Sequence, residues 1–192
     1  MTLAATVTEV SICNMALSSL GRATIVDFAN ITQEEILCKL WYPIARNSLL
    51  EQAPWTFAEA RWVNLAPLSE APPFGFRYAY LKPTGALKIW EIEGGQRDQW
   101  RVVGDKIYAN MTPINVIYTD SIEDPTLFTP MFVLALAKWL ESIWAIPFTG
   151  KLERQAAAFR DAQFWIAEAM SSDGQQGTST FSSPDDLGIV RL

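Results

Sequence analysis

The segment Ala53-Pro54-Trp55-Thr56-Phe57-Ala58 marks the point where the apolar pattern of this chain changes period. Upstream, apolar residues recur every three or four positions. Downstream, from Arg61 to Asp120, short β-rich runs are divided by Gly, Pro and Asp. Pro54 pushes Ala53 out of the helical region, so the helix must stop there. Trp55 and Phe57, two apart on an extended stretch, then point to the same face. Pro54, Trp55 and Phe57 therefore read as a structural corner, and two rings on one face require a core to receive them.

The first helix is expected from about Glu9 to Leu20, with Thr6 and Glu9 at capping-box spacing, Gly21 just past its end, and Cys13, Ala16, Leu17 and Leu20 as its apolar stripe. A second helix is expected from Thr32 to Gln52, with Glu35 three residues after the cap and Ile36, Leu37, Leu40, Trp41, Ile44 and Leu49 as its face. Pro43 falls inside it and should bend or split it. Thr129 and Pro130 form the cap and first-turn pair of a third helix ending near Pro147. A fourth is expected from Lys151 to Met170, burying Leu152, Ala156, Phe159, Ile166 and Ala169.

Between the second and third helices the pattern predicts a small antiparallel sheet. Its strands are Arg61 to Leu65, Arg77 to Leu81, Ala86 to Ile92, Trp100 to Val103, Lys106 to Ala109 and Ile114 to Thr119, with Gly104-Asp105 as a two-residue hairpin turn. The fold class is therefore α+β: a bundle of about four helices with a small β-domain inserted between the second and third. Residues 1–58 and 121–172 form the discontinuous bundle, 59–120 the β-rich insert and 173–192 a flexible tail. That tail is rich in Ser, Gly, Asp and Gln yet ends in Leu187, Ile189, Val190 and Leu192, an apolar tether suited to docking.

Composition excludes more than it asserts. With 49% hydrophobic residues over 192 positions the chain can bury one domain's core. Its formal charge of −6 argues against wrapping nucleic acid. The absence of histidine removes Ser-His-Asp and Cys-His catalysis and paired-histidine zinc sites. Cys13 and Cys38 sit among apolar residues without a CxxC pair and read as buried thiols. No cofactor or metal is implied. Met1 to Val10 has neither a basic start nor a long apolar run, which points to synthesis in the cytoplasm. Met131 to Phe148 is apolar but carries Lys138 and Glu141 at its middle, as a core helix would and a membrane span would not.

Three constellations bear on chemistry. Glu91 and Glu93, with Asp98, are carboxylates that a cell-wall hydrolase would need, but their neighbours read as an exposed loop. Asp120, Glu123 and Asp124 read as an acidic turn favourable to a helix start. Trp90, Trp100 and Tyr108 supply the rings for an alternative reading, a carbohydrate-binding tail or surface module.

The order of motifs carries a resemblance. Asn14-Met15-Ala16-Leu17-Ser18-Ser19-Leu20-Gly21 is followed by Ile25. Then come Ala45-Arg46, Leu49-Leu50, the Pro54-Trp55-Thr56-Phe57-Ala58 corner, Tyr78-Ala79-Tyr80 with Pro83, Ile117-Tyr118, and the helix start from Phe128 to Ala137. Over residues 10–172 this order resembles the tail tubular protein A family, the head-to-tail adaptors of short-tailed bacteriophages. The resemblance implies a non-enzymatic virion protein at the head-tail junction, assembled as a twelve-subunit ring between the portal protein and the tail nozzle protein. DNA passes through such a ring without sequence-specific binding, and no membrane is involved. By the same analogy, Leu187, Ile189, Val190 and Leu192 are candidate portal contacts. The loop Gly94, Gly95, Gln96, Arg97, Asp98 and Gln99 is a candidate tail contact.

Overall fold

A computed structural model of the chain describes residues 6–29, 31–72, 75–96 and 99–175. Among these residues, four α-helices and two small antiparallel sheets make up an α+β fold. The first helix, α1 (Glu9–Ser19), is capped two residues later than expected. Thr8 Oγ1 accepts the Ser11 N–H at 3.1 Å and Ser11 Oγ accepts the Thr8 N–H at 2.8 Å, so Ser11 takes the part foreseen for Glu9. At its end Gly21 adopts φ +69°, and the Gly21 and Arg22 N–H groups reach back to the carbonyls of Ser18 and Leu17. The Asn14 side chain then holds the following loop. It accepts the Ile25 N–H and donates to the Ile25 carbonyl, both at 2.8 Å.

The second helix, α2 (Gln33–Leu50), is capped by Thr32, whose hydroxyl accepts the Glu35 N–H at 3.3 Å, and it runs unbroken through Pro43. It stops before Gln52. The third, α3 (Pro130–Thr149), begins at the Thr129 cap as expected but continues through Pro147 to Gly150, whose φ of +65° ends it. The fourth, α4 (Leu152–Gly174), outruns the expected Met170. Asp173, placed in the tail by sequence, is a buried helical residue. α3 packs against α1, α2 and α4.

All six strands follow α2 and precede α3, at β1 (Glu59–Leu65), β2 (Tyr78–Leu81), β3 (Ala86–Ile92), β4 (Trp100–Val103), β5 (Lys106–Ala109) and β6 (Ile114–Asp120). They form two sheets where one was expected, β1-β6-β3 and β2-β5-β4. The turn at Gly104, φ +62°, closes the β4–β5 hairpin with Val103 opposite Lys106. β6 is the central strand of its sheet and is buried at Ile114, Val116, Tyr118 and Thr119. Tyr80, Ile92 and Ile107 complete this second core, and the Tyr80 hydroxyl donates to the Met111 carbonyl at 2.7 Å.

The main core lies among the helices and takes in the corner. Trp55 is wholly buried, and its Nε1–H donates to the Leu49 carbonyl at 3.0 Å. Residues 55–58 are not extended as expected. Trp55 N–H bonds back to Ala53 and Ala58 N–H to Trp55, two successive tight turns. Turning the chain, rather than alternating along it, brings both rings edge-on to Phe132, each with its centroid 5.0 Å away. Cys13 and Cys38 are fully buried free thiols, and their mutual hydrogen bond together with burial pushes Cys13 ionisation far above its ordinary range.

Two helix faces differ from expectation in the same way. α2 buries Glu35, Cys38, Tyr42, Ala45, Arg46, Leu49 and Leu50, while Ile36, Leu40 and Ile44 face outward. α4 buries Ala158, Ala162, Ile166 and Ala169, leaving Leu152, Ala156 and Phe159 exposed. Both helices are apolar on more than one side, and on α4 the subunit core takes the side with the smaller residues. Alanines on α4 let its backbone approach α3 closely, which larger side chains would prevent.

Candidate interaction surfaces

The loop after β3 turns at Gly94 (φ +74°) and is exposed at Gly94 and Gln96. Gly95 has little room for a side chain, since an added Cβ would stand 3.1 Å from the Ile92 carbonyl and 3.2 Å from Met111 Cε. Gln99 is half-buried and anchors the far side of the loop, donating to the Gln96 carbonyl and accepting from Asn110 N–H, both at 3.0 Å. Arg97 and Asp98 lie outside the described residues, as do Leu187, Ile189, Val190 and Leu192. Of the corner residues, Trp55 is inside the core and Pro54 is exposed.

Among the described residues, the carboxylates and rings that could carry chemistry do not converge. Glu91 is exposed on β3, and Glu93 lies in the turn beyond it, accepting from Asn115 Nδ2 at 2.7 Å. Trp90 and Trp100 belong to different sheets. Trp90 donates to Thr119 Oγ1 and is covered by the Lys88 ammonium 3.8 Å from its ring centroid. Trp100 packs into the β-core, and Tyr108 stacks on Phe76. In the acidic turn, Asp124 caps the short 3-10 helix Pro125–Leu127 by accepting from the Thr126 N–H, while the Asp120 carboxylate accepts from Ser121 N–H. The Asp124 carboxyl is held below its usual range, first by that backbone bond and then by the Thr126 hydroxyl.

Arg46, named in the motif order, proves to be a buried cation. Its side chain is 5% exposed and lies between Glu9 at 4.0 Å and Glu123 at 3.6 Å, with its Nε–H donating to Asn47 Oδ1 at 3.0 Å. It ties α2 to the start of α1 and to the segment before α3.

The surfaces that sequence reasoning missed are apolar and outward. Ile36, Leu40 and Ile44 on α2 are 51%, 54% and 53% exposed at four-residue spacing. Phe164 on α4 is 58% exposed, and Trp62 and Val63 protrude from β1, an edge strand. Their signal was present, in helices whose apolar residues exceed one face, but periodicity alone does not say which face the core takes. No known protein-family model matches this chain, and no significantly similar curated protein is found.

Proposed function

We propose that the protein is a structural virion component, a ring-forming adaptor that joins the portal to the tail nozzle and completes the DNA exit channel. The observation that carries this reading is the surplus of large apolar side chains left outward on separate elements, α2 and α4 above all. A head-to-tail ring needs two different contact faces on every subunit, and the outward Ile36-Leu40-Ile44 stripe of α2 and exposed Phe164 of α4 offer apolar surface on separate helices for them. The order of motifs from Asn14 to Ala137 adds the family expectation of a ring at the head-tail junction.

In this reading the β-rich part is a domain inserted into a helical one. The two ends of residues 59–120 lie side by side, with Asp120 N–H donating to the Ala58 carbonyl at 2.9 Å and Glu59 opposite Thr119. An insert with adjacent ends leaves its host's packing intact, which is how α3 can follow the sheets and still pack on α1 and α2. The acidic balance of the chain suits a passage for DNA, because like charges within a Debye length of roughly 8 Å repel a polyanion instead of holding it. Cryo-electron microscopy of the protein mixed with its cognate portal tests the reading. A ring of this chain on the portal is the expected result, and bare portals at saturating protein would overturn it.

A further inference from the structure

Ile36, Leu40 and Ile44 run along the side of α2 turned away from the core. The loop pinned by Asn14 and Ile25 stands beside them. With Ile36 and Leu40 the loop forms an open groove of about 460 Å³ lined by Phe28, Ala29, Ile31, Ile36 and Leu40, with Glu35 and Lys39 as its polar members. Lys39 is exposed and has no ion pair among the described residues. Ile31 is 90% exposed at the open side, so the groove presents a wet apolar surface with a single uncommitted positive charge.

A complementary ridge lies elsewhere on the same chain. Phe164 projects from α4 two positions after buried Ala162, on the far side from the core stripe. Asp161 and Glu168, three before and four after it, share its side and make no ion pair among the described residues. With Arg160 also near, the ridge keeps a net negative charge around an exposed ring.

We propose that the α2 groove is filled by α4 of a second copy of this chain, with Phe164 seated against Leu40 and the acids beside it facing Lys39. The inference rests on the ring reading and specifies its subunit contact. A two-fold pair would join both grooves to both ridges and stop at a dimer, whereas a head-to-tail ring joins the groove of one copy to the ridge of the next. Each contact leaves one groove and one ridge free, so the association propagates until it closes. Apolar burial supplies the attraction and the charge pairing sets the register.

Two variants test this, Leu40→Asp and Phe164→Asp, both at exposed positions and both checked for unchanged thermal melting. In sedimentation velocity over a concentration series, wild-type chain should form a ladder or a closed ring, and each variant alone should associate about thirtyfold more weakly or worse, as expected for a central contact. Mixed in equal amounts, the two variants should form discrete one-to-one dimers, because the mixture keeps one intact groove and one intact ridge. Lys39→Glu should weaken association, and pairing it with Asp161→Lys and Glu168→Lys should restore it. Wild type that remains monomeric throughout, variants that assemble like wild type, or a mixture that does not dimerise would each overturn the contact. Failure of the adaptor reading shows separately, as bare portals alongside intact dimers of the mixed variants.

Discussion

Asp173 near the end of α4 accepts two hydrogen bonds from Thr56 in the corner, from the N–H at 2.7 Å and from the hydroxyl at 2.8 Å. The contact spans 117 positions of chain, and its carboxylate is 4% exposed. It fastens the last turn of the helical part to the turn from which the first strand departs. The corner is therefore held from two sides, by Phe132 of α3 against its rings and by Asp173 of α4 on its backbone.

Removing that carboxylate should loosen the join. Asp173→Ala leaves a backbone N–H and a hydroxyl without their acceptor, and two bonds to a charged group are worth about 3 kcal/mol together. Thr56→Ser keeps both donors and should cost less than about 1 kcal/mol. Urea unfolding of the two variants separates these outcomes, and equal losses would show that the methyl of Thr56, not its bonds, matters.

Trp55→Ala should cost about 3 to 5 kcal/mol, the range for emptying a fully buried large ring. Trp55→Phe should cost less, since one ring still packs on Phe132 while the rest of the indole volume and the bond to the Leu49 carbonyl are lost. Thermal melting of the isolated subunit measures both. Unchanged melting would place the weight of the corner on Phe57 and Phe128.

How much of this was legible in the sequence follows from the kind of signal. Strands β3, β4 and β5 are read to the residue because Gly, Pro and Asp punctuate them on both sides, and the Thr129-Pro130 start of α3 because a cap and its first-turn proline are local. Trp55 declares its burial by its chemistry. The division into two sheets was not legible, because strand partners such as β1 and β6 are chosen across some fifty residues. Nor was the outward turn of Ile36, Leu40 and Ile44. Their spacing fits a core as well as an interface, and only the packing of Cys38, Tyr42 and Ala45 against α1 and α3 decides between them.

The helix starts predict an acid limb. Glu34, in the first turn of α2, is held below its ordinary 4.5 by its backbone hydrogen bond and then by Arg22, whose Nε–H donates to it at 3.0 Å. A carboxyl whose folded value is lowered stabilises the fold above its unfolded value, and that contribution is lost as pH falls through the folded value. Unfolding free energy should therefore decline as pH drops below about 4.5, and Glu34→Gln should show a shallower decline than wild type. Denaturant titrations from pH 6 to pH 3 give the comparison; parallel curves would remove Glu34 from the cause. Arg22 keeps its side of the pair open to solvent, so high salt should shrink the difference.

Tyr42 offers the opposite kind of test. Its ring is 2% exposed and its hydroxyl has no hydrogen-bond partner among the described residues, although Glu9 and Arg46 lie near. Burial, reinforced by the Glu9 charge, pushes the phenol well above its ordinary 10. A buried polar group without a partner costs the fold its desolvation and returns nothing, so deleting it should not harm stability. Tyr42→Phe keeps the ring and should melt at or above the wild-type temperature, with a gain of up to about 1 kcal/mol. Tyr42→Ala, which empties the site between α1 and α2, should instead lose about 3 to 5 kcal/mol. A loss on Tyr42→Phe comparable to that of Tyr42→Ala would mean that the hydroxyl is bonded in solution, and its neighbours Glu9 and Arg46 would be the groups to substitute next.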